Sequence, residues 1–180
     1  MVAITKFLWL ALTATSATAA AIVQRDAVTV ENDITQKIGP SWTTLDNDIK
    51  SFPNSGLTGA IAIQADFTNV IAALDKTTSD IKSAGSFGVV HGTTILASIQ
   101  LLVPTYLTLL VRLGTQTSTW SAITDGRASI LKQLQLADAA TSKFIDAVIA
   151  AEPLLLKPGG IAIKAQLTGA LATAIAIYSA

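Results

Sequence analysis

The chain has 180 residues, 51% of them hydrophobic and only 13% charged, about half the charged share usual in soluble domains, so Ser, Thr, Gln and Ala must cover much of the surface. Twelve basic and twelve acidic residues cancel without forming a like-charge block, which excludes the electrostatic footprint of a nucleic-acid or anionic-membrane binder. Cysteine is absent, so the fold must hold by packing alone, and the length is enough for one domain with a sizeable core.

The N-terminus reads MVAITKFLWLALTATSATAAAIVQR. Lys6 precedes an apolar run from Phe7 to Leu12, and small residues lead to Ala17-Thr18-Ala19, the pattern of a secretory signal peptide cut before Ala20. The apolar core is too short for a membrane anchor, which needs about 20 residues. The expected organisation is a signal peptide at 1–19, a short pro-segment at 20–25 and a single domain at 26–180.

Helical patterns fill that domain. In the first, Ala27, Val30, Ile34, Ile38, Trp42, Leu45, Ile49 and Phe52 recur at steps of three and four and line one helix face. Gly39-Pro40 lies inside this stripe, and proline both removes a backbone donor and clashes with the preceding turn, so a kink or split is expected near residues 38–41. Pro53-Asn54-Ser55-Gly56 reads as a turn. A second stripe runs through Ala60, Ile63, Phe67, Val70, Leu74, Thr78 and Ile81, leaving Asp66, Asp75, Lys76, Asp80 and Lys82 for the wet side.

The third helix, over residues 89–114, contains TTILASIQLLVPTYLTLLV at 93–111, a stretch without one charged side chain. The fourth covers 126–151 through Ile130, Leu134, Ala137, Phe144 and Val148, with Asp125 placed to cap it. Pro153 and Pro158-Gly159-Gly160 punctuate before a last helix through Ile163, Leu167, Leu171, Ile175 and Tyr178. Strand alternation is weak throughout. The fold class expected is all-α, an antiparallel bundle of about five helices.

Catalytic patterns are missing. His91 is the only histidine, so a Ser-His-acid triad or a histidine metal site would rest on it alone. No G-x-S-x-G, CxxC, HExxH or phosphate-loop motif occurs. The expectation is a protein with no catalytic residues, no metal and no cofactor.

The layout resembles a known family. A signal peptide, Arg25-Asp26-Ala27 opening an amphipathic helix with Asn32-Asp33-Ile34, the segment DFTNVIAALDKTTSDIK and the closing AIAIYSA are similar to the fungal hydrophobic surface binding protein A group, which includes the cell-wall galactomannoproteins. Gly39-Pro40 departs from the unbroken first helix usual there. The resemblance implies a secreted, extracellular or wall-associated fungal protein without enzymatic activity. It also implies partners: a long-chain fatty acid or other lipid held in a helical bundle, or a hydrophobic solid surface where secreted polyester hydrolases are recruited.

The apolar excess of the third helix fits two structural roles. A helix apolar all round is either surrounded by others, as the central helix of the bundle, or placed in lipid, and Gln100, Pro104 and the amphipathic neighbours argue against an integral membrane span. The same residues could line an acyl pocket, an apolar cleft with one or two polar groups at its mouth. Leu102, Tyr106, Leu109 and Leu110 would then face the ligand, joined by Phe67, Val70, Leu134 and Leu171, with Gln100, Tyr106 or Arg112 as donor to a carboxylate. A wall-structural scaffold without any small ligand is the alternative.

Overall fold

The structure, a computed structural model, describes residues 26–180. The signal peptide and pro-segment expected at 1–19 and 20–25 lie outside the described residues. Among the described residues every regular element is helical: α1 over 26–51, α2 Gly56–Ala84, α3 Val89–Thr115, the single-turn α4 Thr117–Ser121, α5 Gly126–Ala151 and α6 Lys157–Ser179.

Of the kink or split expected near residues 38–41, the split does not occur. A π turn at Ile34–Ile38 joins two α-helical segments, and the Gly39 N–H donates to the Ile34 carbonyl five residues back. Its cause is legible in the stripe, because Val30, Ile34, Ile38 and Trp42 follow three successive steps of four, each overshooting an α-helical turn by about 40°. The wider turn absorbs that excess and keeps all four side chains buried. Pro40 falls in the first turn of the segment Gly39–Ser51, where its missing N–H costs little.

Helix direction alternates along the chain. Asp33 meets Asp80 and Asp48 meets Asp66 across the antiparallel pair α1–α2, while Lys164 binds Asp146 at 2.7 Å and Arg127 binds the Tyr178 carbonyl at 3.0 Å across the antiparallel pair α5–α6. Spatial neighbours form a ring, α1–α2–α5–α6–α3 and back to α1. Within it α1, α3 and α6 run parallel: His91 bonds to Glu31 and Arg112 to Asp46 between α3 and α1, whereas Leu96 lies beside Gly160 and Gly114 beside Ile177 between α3 and α6.

The central position expected for α3 is therefore not taken. Ring closure through α2 and α5 leaves an axis filled by large buried side chains, among them Trp42, Phe67, Tyr106 and Phe144, rather than by a helix. Among its neighbours α3 packs chiefly on α1 and α6, and its outer side leaves Leu101 79% and Val111 69% exposed. Gly39 sets its distance from α1, since an added Cβ would stand 3.1 Å from Leu102 Cδ2.

Other local expectations also shift. Asp66, read as a wet-side residue, is buried in the α1–α2 interface. Asp125 stands at the start of α5 in a left-handed conformation (φ 56°) and makes no side-chain cap; its carbonyl accepts from the Ser129 N–H instead. α6 begins at Lys157, with Pro158 inside its first turn rather than before it. α4 had no counterpart in the sequence reading: it delivers Trp120 onto Phe52, ring centroids 4.4 Å apart, and closes that end of the ring. Gln116 completes the closure by donating to the Ile49 and Phe52 carbonyls at 2.7 Å.

Candidate functional site

The chemistry of the interior centres on Tyr106 of α3. Its ring stacks on Trp42 of α1 at 4.3 Å, and its hydroxyl is turned toward Thr141 of α5, across the ring of helices. Burial drives the Tyr106 pKa upward, so this hydroxyl keeps its proton. Neither the Tyr106 hydroxyl, the Thr141 Oγ1 nor the Trp42 Nε1 closes a hydrogen bond of ordinary geometry. All three are donors. A buried polar group left unsatisfied costs about 1–3 kcal/mol.

One turn above Tyr106 on the same face of α3, Leu110 forms the floor of a groove between α3 and α6. Its volume is about 490 Å³, and Leu107, Val111, Gly114, Ala170, Ala174 and Ile177 line it, with Thr115 and Thr173 as its hydroxyl-bearing members. That size and composition suit an alkyl chain.

The residues expected to face a ligand divide accordingly. Phe67, Val70, Leu109, Leu134 and Leu171 are buried in the common core with Tyr106. Leu110 belongs to the groove, whereas Leu102 is half-buried against α1 at Gly39. Of the three donors expected for a carboxylate, Gln100 is exposed on the outside of α3 and Arg112 is held by Asp46, so only Tyr106 reaches the interior. His91 holds the first turn of α3 against Glu31 at 2.9 Å. Among the described residues no three of His, Asp and Glu cluster as a metal ion would require.

Buried carboxyls lie apart from this centre. Glu152, at the α5–α6 junction, is 3% exposed with both oxygens unpartnered, and burial pushes its pKa up to about 7. Gly92 makes room for it, since an added Cβ there would sit 2.1 Å from Glu152 Oε2. Asp66 is raised to about 6 by burial and by its hydrogen bond to Asp48. Asp33 is raised by burial and by its bond to Asp80, whose own pKa is lowered by the same bond.

Residues 27–150 match the family model described as hydrophobic surface binding protein A. The chain belongs to that family. No curated relative matches it. Solved structures extend the likeness to the fold of this family member. Ligand binding domain 1 of the Penicillium marneffei MP1 protein, complexed with arachidonic acids, is similar with a TM-score of 0.79 at 18% identity, over 86% of this chain and 99% of that one. AFMP4P in complex with palmitic acid gives 0.80 at 20% identity, over 84% and 99%. Ligand binding domain 2 of the MP1 protein, complexed with multiple arachidonic acids, gives 0.77 at 12% identity, over 84% and 96%.

Two interior donors escaped the sequence reading of this family member. Thr141 occupies the gap between Ala137 and Phe144 in the α5 stripe, and a polar residue at a core position is the signal that would have found it. Trp42 was visible as core but not as a donor, because periodicity reports burial and not hydrogen bonding.

Proposed function

We propose that the chain is a secreted, non-enzymatic binder of long-chain fatty acids or similar lipids. The acyl chain lies along the α3–α6 seam, and the carboxyl group accepts hydrogen bonds from Tyr106 and Thr141. The observation that carries this reading is the pair of buried, unsatisfied hydroxyls one turn below an apolar groove. Phe and Val would fill the same volumes without the desolvation cost, so hydroxyls at these positions make sense where a ligand acceptor completes them. Fatty-acid complexes of similarly folded proteins support the ligand class. The signal-peptide pattern at 1–19 supports export.

The energetics are adequate. Each methylene transferred from water contributes about 0.8 kcal/mol before ordering costs, so burial of most of a palmitoyl chain contributes about 10 kcal/mol, against the about 8 kcal/mol of micromolar binding. Hydrogen bonds to a charged group add about 1.5–3 kcal/mol. Tyr106→Phe and Thr141→Val should each weaken fatty-acid affinity about 10- to 100-fold while leaving the melting temperature equal or higher. Fluorescent fatty-acid displacement with thermal melts on the same samples checks both halves. Raised stability with unchanged affinity would mean that the hydroxyls are only unsatisfied core groups.

A further inference from the structure

α1 and α2 meet through two carboxyl–carboxyl contacts, Asp33 with Asp80 near one end of the pair and Asp48 with Asp66 near the other. Such a contact needs a proton, since two bare carboxylates repel and neither can donate a hydrogen bond. The two contacts differ in their surroundings. Lys37 pairs with Asp33 and Lys76 with Asp80, so the first contact sits among compensating charges. The second has no cation. Asp66 is buried with its Oδ2 unpartnered, and Asp48 is the one charged group that acts on it. On the neighbouring elements Arg112 of α3 is taken by Asp46, Lys50 of α1 and Lys132 of α5 point to solvent, α4 carries no charge, and α2 brings no other charged residue before Asp75.

The two helices are also tied down unequally at this end. α1 is held three ways: Arg112 binds Asp46, Gln116 donates to the Ile49 and Phe52 carbonyls, and Trp120 stacks on Phe52. The start of α2, residues 56–66, has none of these ties. Ser55 gives it no side-chain cap, its one polar contact with another helix is the one between Asp66 and Asp48, and Ala60 and Ile63 are its only buried apolar side chains, while Leu57 and Ile61 are exposed. We propose that the Asp48–Asp66 contact is a proton-held clasp: with its proton it fastens the start of α2 over the core, and its ionisation frees that segment as a flap. Phe67 follows Asp66 directly and is buried in the common core with Tyr106, so movement of the flap opens a way to that centre. The direction is set by burial and by Asp48, which raise the Asp66 pKa from 3.8 to about 6. A carboxyl that binds its proton more tightly in the closed form supports closure in acid, and that support is lost as pH rises through the closed-state value.

As a control on access to the Tyr106 centre the clasp rests on the fatty-acid reading; as a moving segment it does not, so the two can fail separately. Amide hydrogen exchange of the purified chain near pH 5 and pH 8, corrected for the intrinsic exchange rate, tests the movement. Protection of residues 57–66 should fall about tenfold between the two, beyond any change in the tethered end of α1, as the shift of Asp66 requires. Asp66→Asn, whose amide donates to Asp48 without a shared proton, should remove that fall, and Asp48→Asn should reduce it if the first variant folds poorly. Asp80→Asn, at the compensated contact, should keep it. A fall of equal size in Asp66→Asn, or one that runs through all the helices alike, overturns the clasp. Dissociation of palmitic acid, followed on the same samples, should be faster from the parent than from Asp66→Asn near pH 8 and equal near pH 5. Equal rates at both, with the flap opening, overturn its control of access. If neither protein binds palmitic acid at either pH, the fatty-acid reading fails and the exchange result decides the clasp by itself.

Discussion

Glu152→Gln is expected to raise the melting temperature by about 5–10 °C near pH 8 and to leave it almost unchanged near pH 4. The Glu152 carboxyl is buried at the α5–α6 junction without a partner, and its pKa rises from 4.5 to about 7. A carboxyl whose folded-state pKa exceeds its unfolded value holds its proton more tightly in the native state. Its stability is therefore fully present at acid pH and is lost as pH climbs through the folded value. At 1.36 kcal/mol per pKa unit, the loss approaches about 3 kcal/mol above pH 7. Asp66 acts in the same direction between 3.8 and about 6. In the Asp33–Asp80 pair burial raises the Asp33 pKa while the bond between the two lowers that of Asp80, so their contributions oppose. The parent should consequently melt higher in mild acid than near pH 8, and thermal melts of parent and variant across that range check it. A parent whose stability rises with pH would contradict the assignment.

Trp120→Ala is the second large effect, a loss of about 3–5 kcal/mol, which lowers the melting temperature by about 10 °C or more. Trp120 is fully buried, yet its helix is one turn long and cannot hold its place by its own hydrogen bonds. The ring's stacking on Phe52 fixes α4 over the end of α1, where Gln116 satisfies the Ile49 and Phe52 carbonyls. Removal of the indole opens a cavity beneath α4 and loosens that closure. Fatty-acid affinity, measured well below the lowered melting point, should stay within about threefold of the parent, since Trp120 stacks on Phe52 and does not line the α3–α6 groove. Loss of binding with little loss of stability would reverse the roles assigned to the two aromatic stacks.

The difference between these two aromatic stacks also shows how far the sequence could be read. Trp42 lies on an eight-residue stripe, and its burial follows from steps of three and four. Trp120 lies on a single turn with no repeat to measure, so nothing in the spacing marks it as core. The five long helices and their inward faces are periodic properties and were legible; ring order is not, because an α3 stripe that packs on α1 and α6 has the same spacing as one surrounded on all sides. That is why the charge-free stretch at 93–111 suggested a central helix and turned out to supply an outer face. Asp66 shows the same limit in reverse. It lies between Ile63 and Phe67 at the border of the buried stripe, and only the opposing Asp48 on α1 explains how a carboxyl is kept there. Among the proposed donors Tyr106 was found because it is polar and sits in an apolar run. Gln100 and Arg112 satisfied the same rule, but the rotation of α3 turned one outward and gave the other to Asp46.

Whether the bundle holds a lipid is measured directly by native mass spectrometry of the purified protein, followed by mass spectrometry of its organic extract. The expected result is a complex heavier than the apo chain by the mass of a long-chain fatty acid, a matching acid in the extract, and loss of that occupancy in Tyr106→Phe with Thr141→Val. An apo mass throughout, with no fatty acid extracted and none taken up when palmitic or arachidonic acid is supplied, would contradict it.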